Sequence, residues 1–385
     1  MQNTNTAHEA PLRSFRITVP EPAQSGVAAL LEEEGFRFEP EPFSACCRRL
    51  TAEPRPLGSS LAAFFGLIYI QDRSSMLPPL ALAPEKGAAV LDMCASPGSK
   101  TGFLAQLVGP GGFVLANEVS HSRLFTLRQN LRVCNFLQAG TCSYEGQNIP
   151  LAPGSLRYIQ LDPPCSGWGT AVKNPKVMAL WHDDKVKPLI GLQRLLLRRA
   201  AELLAPGGVV VYSTCTTNSG ENERQVEYAE ACLGLTREPL APFPGFYWDD
   251  REGSEGTLRV DGERSGSQGF YVARLRKTGE PEPEKSGTGE DRESRKRGRR
   301  GKERPCARHA ASPGQDVEPE ALSSATVDPG LLPDGRCAAF SGTLRFLPAQ
   351  AGPIAAKDYG PKEEPQAAKE LVEQAMEVAQ PIFQL

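Results

Sequence analysis

Between Ala88 and Arg276 the chain alternates short apolar runs with segments of helical period, and this rhythm limits what it can fold into more than any other feature. Ala88–Met93 is a short apolar run that passes Asp92 and ends in a Ser-Pro-Gly turn. The spacing predicts helices over Lys100–Val108, Ser122–Val133, Leu189–Leu204 and Glu221–Leu233. It predicts strands over Gly112–Glu118, Phe136–Thr141, Tyr158–Asp162, Val209–Ser213 and Gln268–Arg276. In the third helix Leu192, Leu196, Ala200 and Leu203 recur at helical spacing, and Pro206-Gly207-Gly208 stops it. Strands alternating with helices in this way imply an α/β, doubly wound sheet.

The flanks have a different character. Phe15, Ile17 and Val19 alternate with Arg16 and Thr18 as in a strand, a helix is expected from Pro22 to Glu34 with Gly35 as its stop, and a second β-like stretch covers 36–43. Residues 12–65 therefore read as a small α+β module, 66–277 as the main domain, and the polar residues 1–11 as a frayed end. Residues 278–335 are rich in Pro, Gly, Ser and charge and read as a disordered basic linker; within 292–304 eight Lys/Arg against two Glu give a net charge of +6. The segment 336–385 offers one strand at 343–347 and a short helix at 367–378.

Composition narrows the class. A net charge of −3 excludes a uniformly basic coat protein, and no apolar run approaches the ~18 residues of a membrane span. The N-terminus lacks the apolar stretch of a signal peptide, so a cytoplasmic protein is expected. The ten cysteines form no C-x-x-C pair and the four histidines are scattered, so no metal site is expected. Free thiols are the simple reading for most of these cysteines.

Four strand ends carry the chemistry. The first is Leu91-Asp-Met-Cys-Ala-Ser-Pro-Gly-Ser-Lys-Thr101, a strand entering a small-residue turn and then a helix, where a ligand can approach the backbone and free N–H groups. It matches neither G-x-x-x-x-G-K-[ST] nor G-x-G-x-x-G, and alone it is equally an ordinary βα turn. Glu118, at the end of the next strand, stands where an acid can bind both ribose hydroxyls. Together the two point to a nucleoside-containing cofactor. The fourth strand ends Leu161-Asp-Pro-Pro-Cys-Ser-Gly-Trp-Gly169, and the prolines force a rigid, extended exit that presents Asp162 and Cys165 at the carboxyl edge. The fifth ends Val211-Tyr-Ser-Thr-Cys-Thr216 and brings Cys215 to the same edge. Either cysteine alone is more simply a small buried hydrophobe; two at neighbouring strand ends are not.

The order LDMCASPGSKT, ANEVSHSR, LDPPCSGWG and STCTTNSGENE resembles the Sun/RsmB/RsmF family of S-adenosylmethionine-dependent RNA (cytosine-5) methyltransferases, over roughly residues 66–277. Arg13-Ser-Phe-Arg-Ile and Tyr69-Ile-Gln-Asp-Arg-Ser-Ser-Met look most like the RsmF branch, which acts on small-subunit ribosomal RNA. The resemblance implies a Rossmann-like, seven-stranded class I methyltransferase sheet. It implies S-adenosyl-L-methionine held by Cys94, Ala95, Ser96, Pro97, Gly98, Ser99 and Lys100, with Glu118 on the ribose, Arg123 beside it, Glu145 near the adenine where the family usually has Asp, and Asp162 touching cofactor and cytosine. Cys215 would be the nucleophile, Cys165 the release residue, and Asp162 and Lys100 their helpers. The partner implied is RNA, ribosomal or within the small subunit, met by a monomer whose N-terminal module also binds RNA. Methylation of tRNA and a non-catalytic RNA-binding scaffold are the alternatives. The family's His and sugar-facing Pro before the last strand are replaced here by Val260-Asp-Gly-Glu-Arg-Ser-Gly-Ser.

The chemistry explains the residue types. Carbon 5 of cytosine is a poor nucleophile, and thiolate attack on C6 activates it by splitting one hard step into two. A free thiol is only a few per cent thiolate at neutral pH, so the site must promote ionisation. Asp162 is expected to hold a proton at N3. A second thiol can assist elimination, and the base must be unpaired or flipped out to be reached. Amino-methyltransferases share a (D/N)-P-P-x turn with an aromatic at x; Cys165 there argues for carbon as the acceptor.

Overall fold

The computed structural model describes residues 13–280 apart from 172, 173, 175, 181 and 182, together with three strands further on. The expectations of a frayed N-terminus, a disordered basic linker and a helix at 367–378 fall mostly or wholly outside the described residues.

The N-terminal module is a four-stranded sheet under one helix. Strand β1 (Ser14–Ile17) leads into helix α1 (Glu21–Glu33), whose Val27 and Leu31 are buried. Strands β2 (Arg37–Glu41) and β3 (Ser44–Ala52) follow, then the short helix α2 (Leu61–Phe64) and strand β4 (Ile68–Ile70). The order is β2-β3-β1-β4, all antiparallel around β1 and β3. Because β4 pairs with β1, this sheet runs past the boundary expected at residue 65. The sequence reading also missed β3, whose Cys-Cys-Arg-Arg centre has no clear alternation. Phe15, Ile17, Leu31, Phe36 and Leu50 form the core.

Arg16, which alternates with the apolar residues of β1, is fully buried as well. Both faces of β1 are covered, one by α1 and the other by the main domain. The Arg16 guanidinium lies over the Phe103 ring at 4.8 Å, and Gln106 donates to the Ile17 carbonyl at 2.9 Å. Cation–π contact makes burial of an arginine tolerable at this junction.

The main domain begins with helix α3 (Leu77–Leu82) and alternates from there: strand β5 (Ala89–Asp92), helix α4 (Ser99–Val108), strand β6 (Phe113–Asn117), helix α5 (His121–Val133), strand β7 (Ala139–Cys142) and strand β8 (Leu156–Leu161). Helices α6 (Lys176–Leu180) and α7 (Asp183–Leu203) lead to strand β9 (Leu204–Thr214) and helix α8 (Glu223–Cys232). Strands β10 (Leu235–Glu238) and β11 (Leu258–Val260), helix α9 (Gly262–Ser265) and strand β12 (Phe270–Lys277) close it. Every residue of β6 is buried, as a strand covered on both faces requires. In α5 the buried residues Leu124, Leu127 and Leu131 follow helical spacing.

The main path of the sheet is β10-β12-β9-β8-β5-β6-β7, seven strands with β11 added against β12. Strands β5 to β9 are parallel and β12 is antiparallel to β9. β10 was absent from the residue-level reading. Pro206-Gly207-Gly208 lies within β9, where the register with β8 jumps between Leu156↔Leu204 and Tyr158↔Val209. The chain reverses its direction of travel across the sheet between β5 and β8, and a ligand crevice opens outside the carboxyl ends at such a switch point.

Farther along, strands β13 (Gln315–Val317), β14 (Gly335–Phe340) and β15 (Thr343–Pro348) pair antiparallel. The last matches the expected strand at 343–347, whereas β13 falls in the stretch expected to lack structure.

Candidate active site

The small-residue turn after β5 lies beside the ends of β6 and β8. The Ala95 N–H donates to the Asn117 carbonyl at 2.9 Å, and Ser96 Oγ donates to the Arg123 carbonyl at 2.9 Å. Arg123 Nη2 returns a bond to the Ser96 carbonyl at 2.8 Å, and its Nη1 stands 3.6 Å from Glu118. Asn130 Nδ2 holds the Pro97 carbonyl at 2.7 Å, and the Ser99 carbonyl faces Arg16 Nη2 at 3.5 Å. Gly98 has φ +105°, and a Cβ there would meet Leu127 Cδ1 at 3.0 Å, so only glycine lets the chain turn here without strain.

Glu118 is buried and takes the Ser120 N–H at 2.9 Å. Asn117 was not singled out from the sequence, yet its amide reaches the Met93 and Tyr144 carbonyls at 3.0 Å each and so ties three strand ends together. Glu145 is exposed and accepts from Asn148 Nδ2 at 2.8 Å. Beneath it, a Cβ on Gly146 would come within 2.4 Å of Leu196, which fixes the height of this loop on α7.

Asp92 sits under the turn, fully buried, accepting from Thr101 Oγ1 at 2.6 Å. Burial pushes its carboxyl up to about 7, against the opposing pull of Thr101 and Lys100. Burial and the charges of Asp92, Asp162 and Glu118 push the Cys94 thiol far above its ordinary range, which leaves it inert.

Lys100 projects from the first turn of α4 to Asp162 at the end of β8, Nζ to Oδ2 at 2.6 Å. The other carboxylate oxygen of Asp162 accepts from Ser213 Oγ at 3.2 Å. Burial works against the charge of Lys100, but the charge and hydrogen bond of Asp162, with Asp92 behind, outweigh it and hold the ammonium above its ordinary range.

The two thiols meet. Cys165 Sγ and Cys215 Sγ are 3.4 Å apart across the β8 and β9 ends. The hydrogen bond from Cys165 is the largest influence on Cys215 and holds it below the ordinary thiol value against burial; Lys100 acts in the same sense and Asp162 against it. The same hydrogen bond, burial, and the charges of Cys215, Asp162 and Glu221 keep Cys165 well above it. Lys100 weighs on Cys215, so that thiol is lowered by a cause outside the pair as well.

The turn that carries Cys165 is held from behind by residues the sequence reading passed over. Gly169 donates to the Cys215 carbonyl at 3.0 Å and accepts from the Gly269 N–H at 2.9 Å. A Cβ on Gly169 would lie 2.1 Å from the Gly269 oxygen, a closeness no other residue permits. Ser166, Gln193, Thr216, Glu221 and Asn222 form a buried network beside it. The signal for them was present in Ser213-Thr214 at the end of an otherwise apolar strand and in the Glu-Asn-Glu that follows.

The family described as 16S rRNA methyltransferase RsmB/F matches residues 79–276, just over half of the chain. Ribosomal RNA small subunit methyltransferase F of Serratia proteamaculans is 39% identical over 287 residues, covering 72% of this chain and 59% of that one. The same-named protein of Cronobacter sakazakii is 37% identical over 295 residues, covering 74% and 61%. The chain thus spans about three fifths of the length of the curated relatives it matches. Among solved structures, a methyltransferase homologue from Pyrococcus horikoshii is 32% identical with a TM-score of 0.61, covering 70% of this chain and 87% of that one. NSun6 from the same organism, solved with SFG, has a TM-score of 0.63 at 19% identity, covers 71% and 92%, and supports the fold alone. The matched segment contains the seven-stranded sheet except the last residue of its closing strand β12, with both thiols and the turn after β5, and the chain belongs to the RsmB/F family of 16S rRNA methyltransferases.

Proposed function

We propose that the chain methylates carbon 5 of a cytosine in small-subunit ribosomal RNA, with S-adenosylmethionine as methyl donor and Cys215 as nucleophile. The observation that carries this reading is the pair of thiols 3.4 Å apart, beside an Asp162–Lys100 pair at 2.6 Å. The names of the family and of the relatives support the substrate class.

The turn after β5 fits the cofactor: its side chains are small, Gly98 brings the backbone close without a Cβ, and a buried acid follows at the next strand end. Cys94 to Lys100 would hold the methionine end, Glu118 the ribose with Arg123 bracing the turn, and Glu145 the adenine side. When bound, S-adenosylmethionine supplies the electrophilic methyl that C5 takes up.

The chain's own groups do the rest. Cys215 thiolate forms the S–C6 bond, and the ring π pair moves toward N3, where the Asp162–Lys100 pair lends a proton and later retrieves it. Asp162 is committed to Lys100 and Ser213, so the proton at N3 comes from the pair rather than from a free carboxyl. Release needs the C5 proton removed, its electron pair closing C5=C6 while the S–C6 pair leaves with Cys215. Cys165 gives its thiol proton to the departing Cys215 sulfur and takes the C5 proton in return; Cys215 then loses its proton to solvent, which is the proton that methyl transfer releases, and is a thiolate again.

The test separates the two roles. Cys215→Ala should bind RNA reversibly and yield no 5-methylcytosine in digests analysed by mass spectrometry. Cys165→Ala should still attack and accumulate an RNA–protein adduct that survives denaturing electrophoresis. An adduct with Cys215→Ala instead reverses the assignment, and full activity of Cys215→Ala removes covalent catalysis from this chain.

A further inference from the structure

Glu221 has no part in the steps above, yet it is fully buried, and among the described residues no basic side chain stands against its carboxylate. Three neutral donors reach it: the Ser166 N–H at 3.0 Å, Ser166 Oγ at 2.5 Å and Gln193 Nε2 at 3.0 Å. Gln193 also holds the Pro164 carbonyl at 3.0 Å, and Tyr212 OH donates to the Glu221 carbonyl at 2.7 Å. A buried carboxylate served only by neutral groups is costly unless something requires it.

The direction of the hydrogen bonds shows what it organises. A carboxylate only accepts, so the single hydroxyl proton of Ser166 goes to Glu221. The Ser166–Thr216 contact at 2.7 Å must then be donated by Thr216. Glu221 thereby orients a chain of two hydroxyls that joins the residue after Cys165 to the residue after Cys215.

We propose that Glu221 is a positioning residue that locks the Cys165 turn against the Cys215 strand end and so keeps the two thiols unequal. The proposal rests on the two-thiol reading above. Its charge adds to its geometry: the carboxylate touches Ser166, next to Cys165, and reaches Thr216, next to Cys215, only through Ser166, and Glu221 is among the groups that raise Cys165. Among the described residues, the other charged or titratable groups acting on the pair include Asp162 and Lys100, with Tyr212 beside Cys165. Removing Glu221 therefore acts first on the Cys165 side of the pair.

Iodoacetamide labelling of the full chain across pH, with each cysteine resolved by peptide mass spectrometry, tests this without RNA. Wild type should label at Cys215 in preference to Cys165. Glu221→Gln, at wild-type thermal midpoint, should lower that preference roughly tenfold, the equivalent of one pKa unit, and shift the labelling of Cys165 to lower pH. With RNA it should build up the denaturation-resistant adduct while binding S-adenosylmethionine as before. A folded Glu221→Gln with the wild-type ratio and pH profile overturns the proposal. Should that variant not fold, Ser166→Ala decides: it removes the hydroxyl chain and leaves the Ser166 N–H bond, and an unchanged ratio overturns the proposal equally. Absence of methyl transfer by wild type would refute the proposed reaction, while the labelling ratio would still judge Glu221.

Discussion

Asp92→Asn should abolish one component of the pH dependence of stability. Asp92 is 1% exposed beneath the turn after β5, and burial raises its carboxyl from 3.8 to about 7. The unfolded chain releases this proton near 3.8 and the folded chain holds it to about 7. Between those values the native state binds more protons, so stability falls as pH rises. The contribution is fully present below the unfolded value and gone above the folded one. Three pH units at ~1.4 kcal/mol per unit give about 4 kcal/mol as an upper bound. Thr101 Oγ1 at 2.6 Å donates equally well to the amide oxygen of asparagine, so the substitution keeps the contact and removes the titration. Urea unfolding of both proteins at pH 5 and pH 8 is the assay. Other titrating groups cancel in the difference between the two proteins, and the advantage of Asp92→Asn over wild type should grow by roughly 2–3 kcal/mol between these values. A difference that stays constant with pH would mean that Asp92 is ionised in the folded state throughout, and the burial argument would fail.

The cofactor turn and the buried Arg259–Glu223 pair beyond the end of β9 give two further tests. Gly98→Val puts a branched side chain at φ +105° and against Leu127, and should abolish S-adenosylmethionine binding; Glu118→Ala should weaken it by about 1–3 kcal/mol, and calorimetry showing unchanged affinity in both would unseat the assignment of this turn. Arg259 grips Glu223 with Nη2 at 2.6 and 2.8 Å and also holds the Thr217 carbonyl at 3.0 Å, just after Cys215. With side chains 3% and 6% exposed, Arg259→Met should cost about 3–5 kcal/mol in urea unfolding by stranding the carboxylate, and adding Glu223→Leu should recover most of that loss. Equal stability of the single and double variants would show that the stranded charge is not the cause.

Lys100 and Glu221 both act on the thiol pair, and their charges are opposite. Lys100 acts on Cys215 and Glu221 on Cys165, so two chemically identical groups 3.4 Å apart are driven toward different proton occupancy. That difference is what an attacking thiol and a releasing thiol need.

Local pattern along the chain specified the elements of strong period and the residue types at the strand ends. Helices α4, α5 and α8 lie close to where the spacing of Leu and Val placed them, and Asp162, Cys165 and Cys215 come together at the edge where a doubly wound sheet presents them. Periodicity and turn chemistry act over a few residues, so they can be read along the chain. Tertiary structure decided the rest. Strand β10 has no apolar alternation of its own; it exists because Leu235–Glu238 pairs with β12 and because Glu238 meets Arg274 and Arg276 there. Strand β4 joined the N-terminal sheet through pairing with β1, more than fifty residues away. Arg16 occupies a polar position in an alternating strand, and only the docking of the main domain turned that face into an interior. Glu221 shows the same separation most sharply. Its place beside Cys215 was legible in Ser-Gly-Glu-Asn-Glu, but its partner Ser166 lies 55 residues earlier, and a carboxylate's function follows from the donors that folding brings to it.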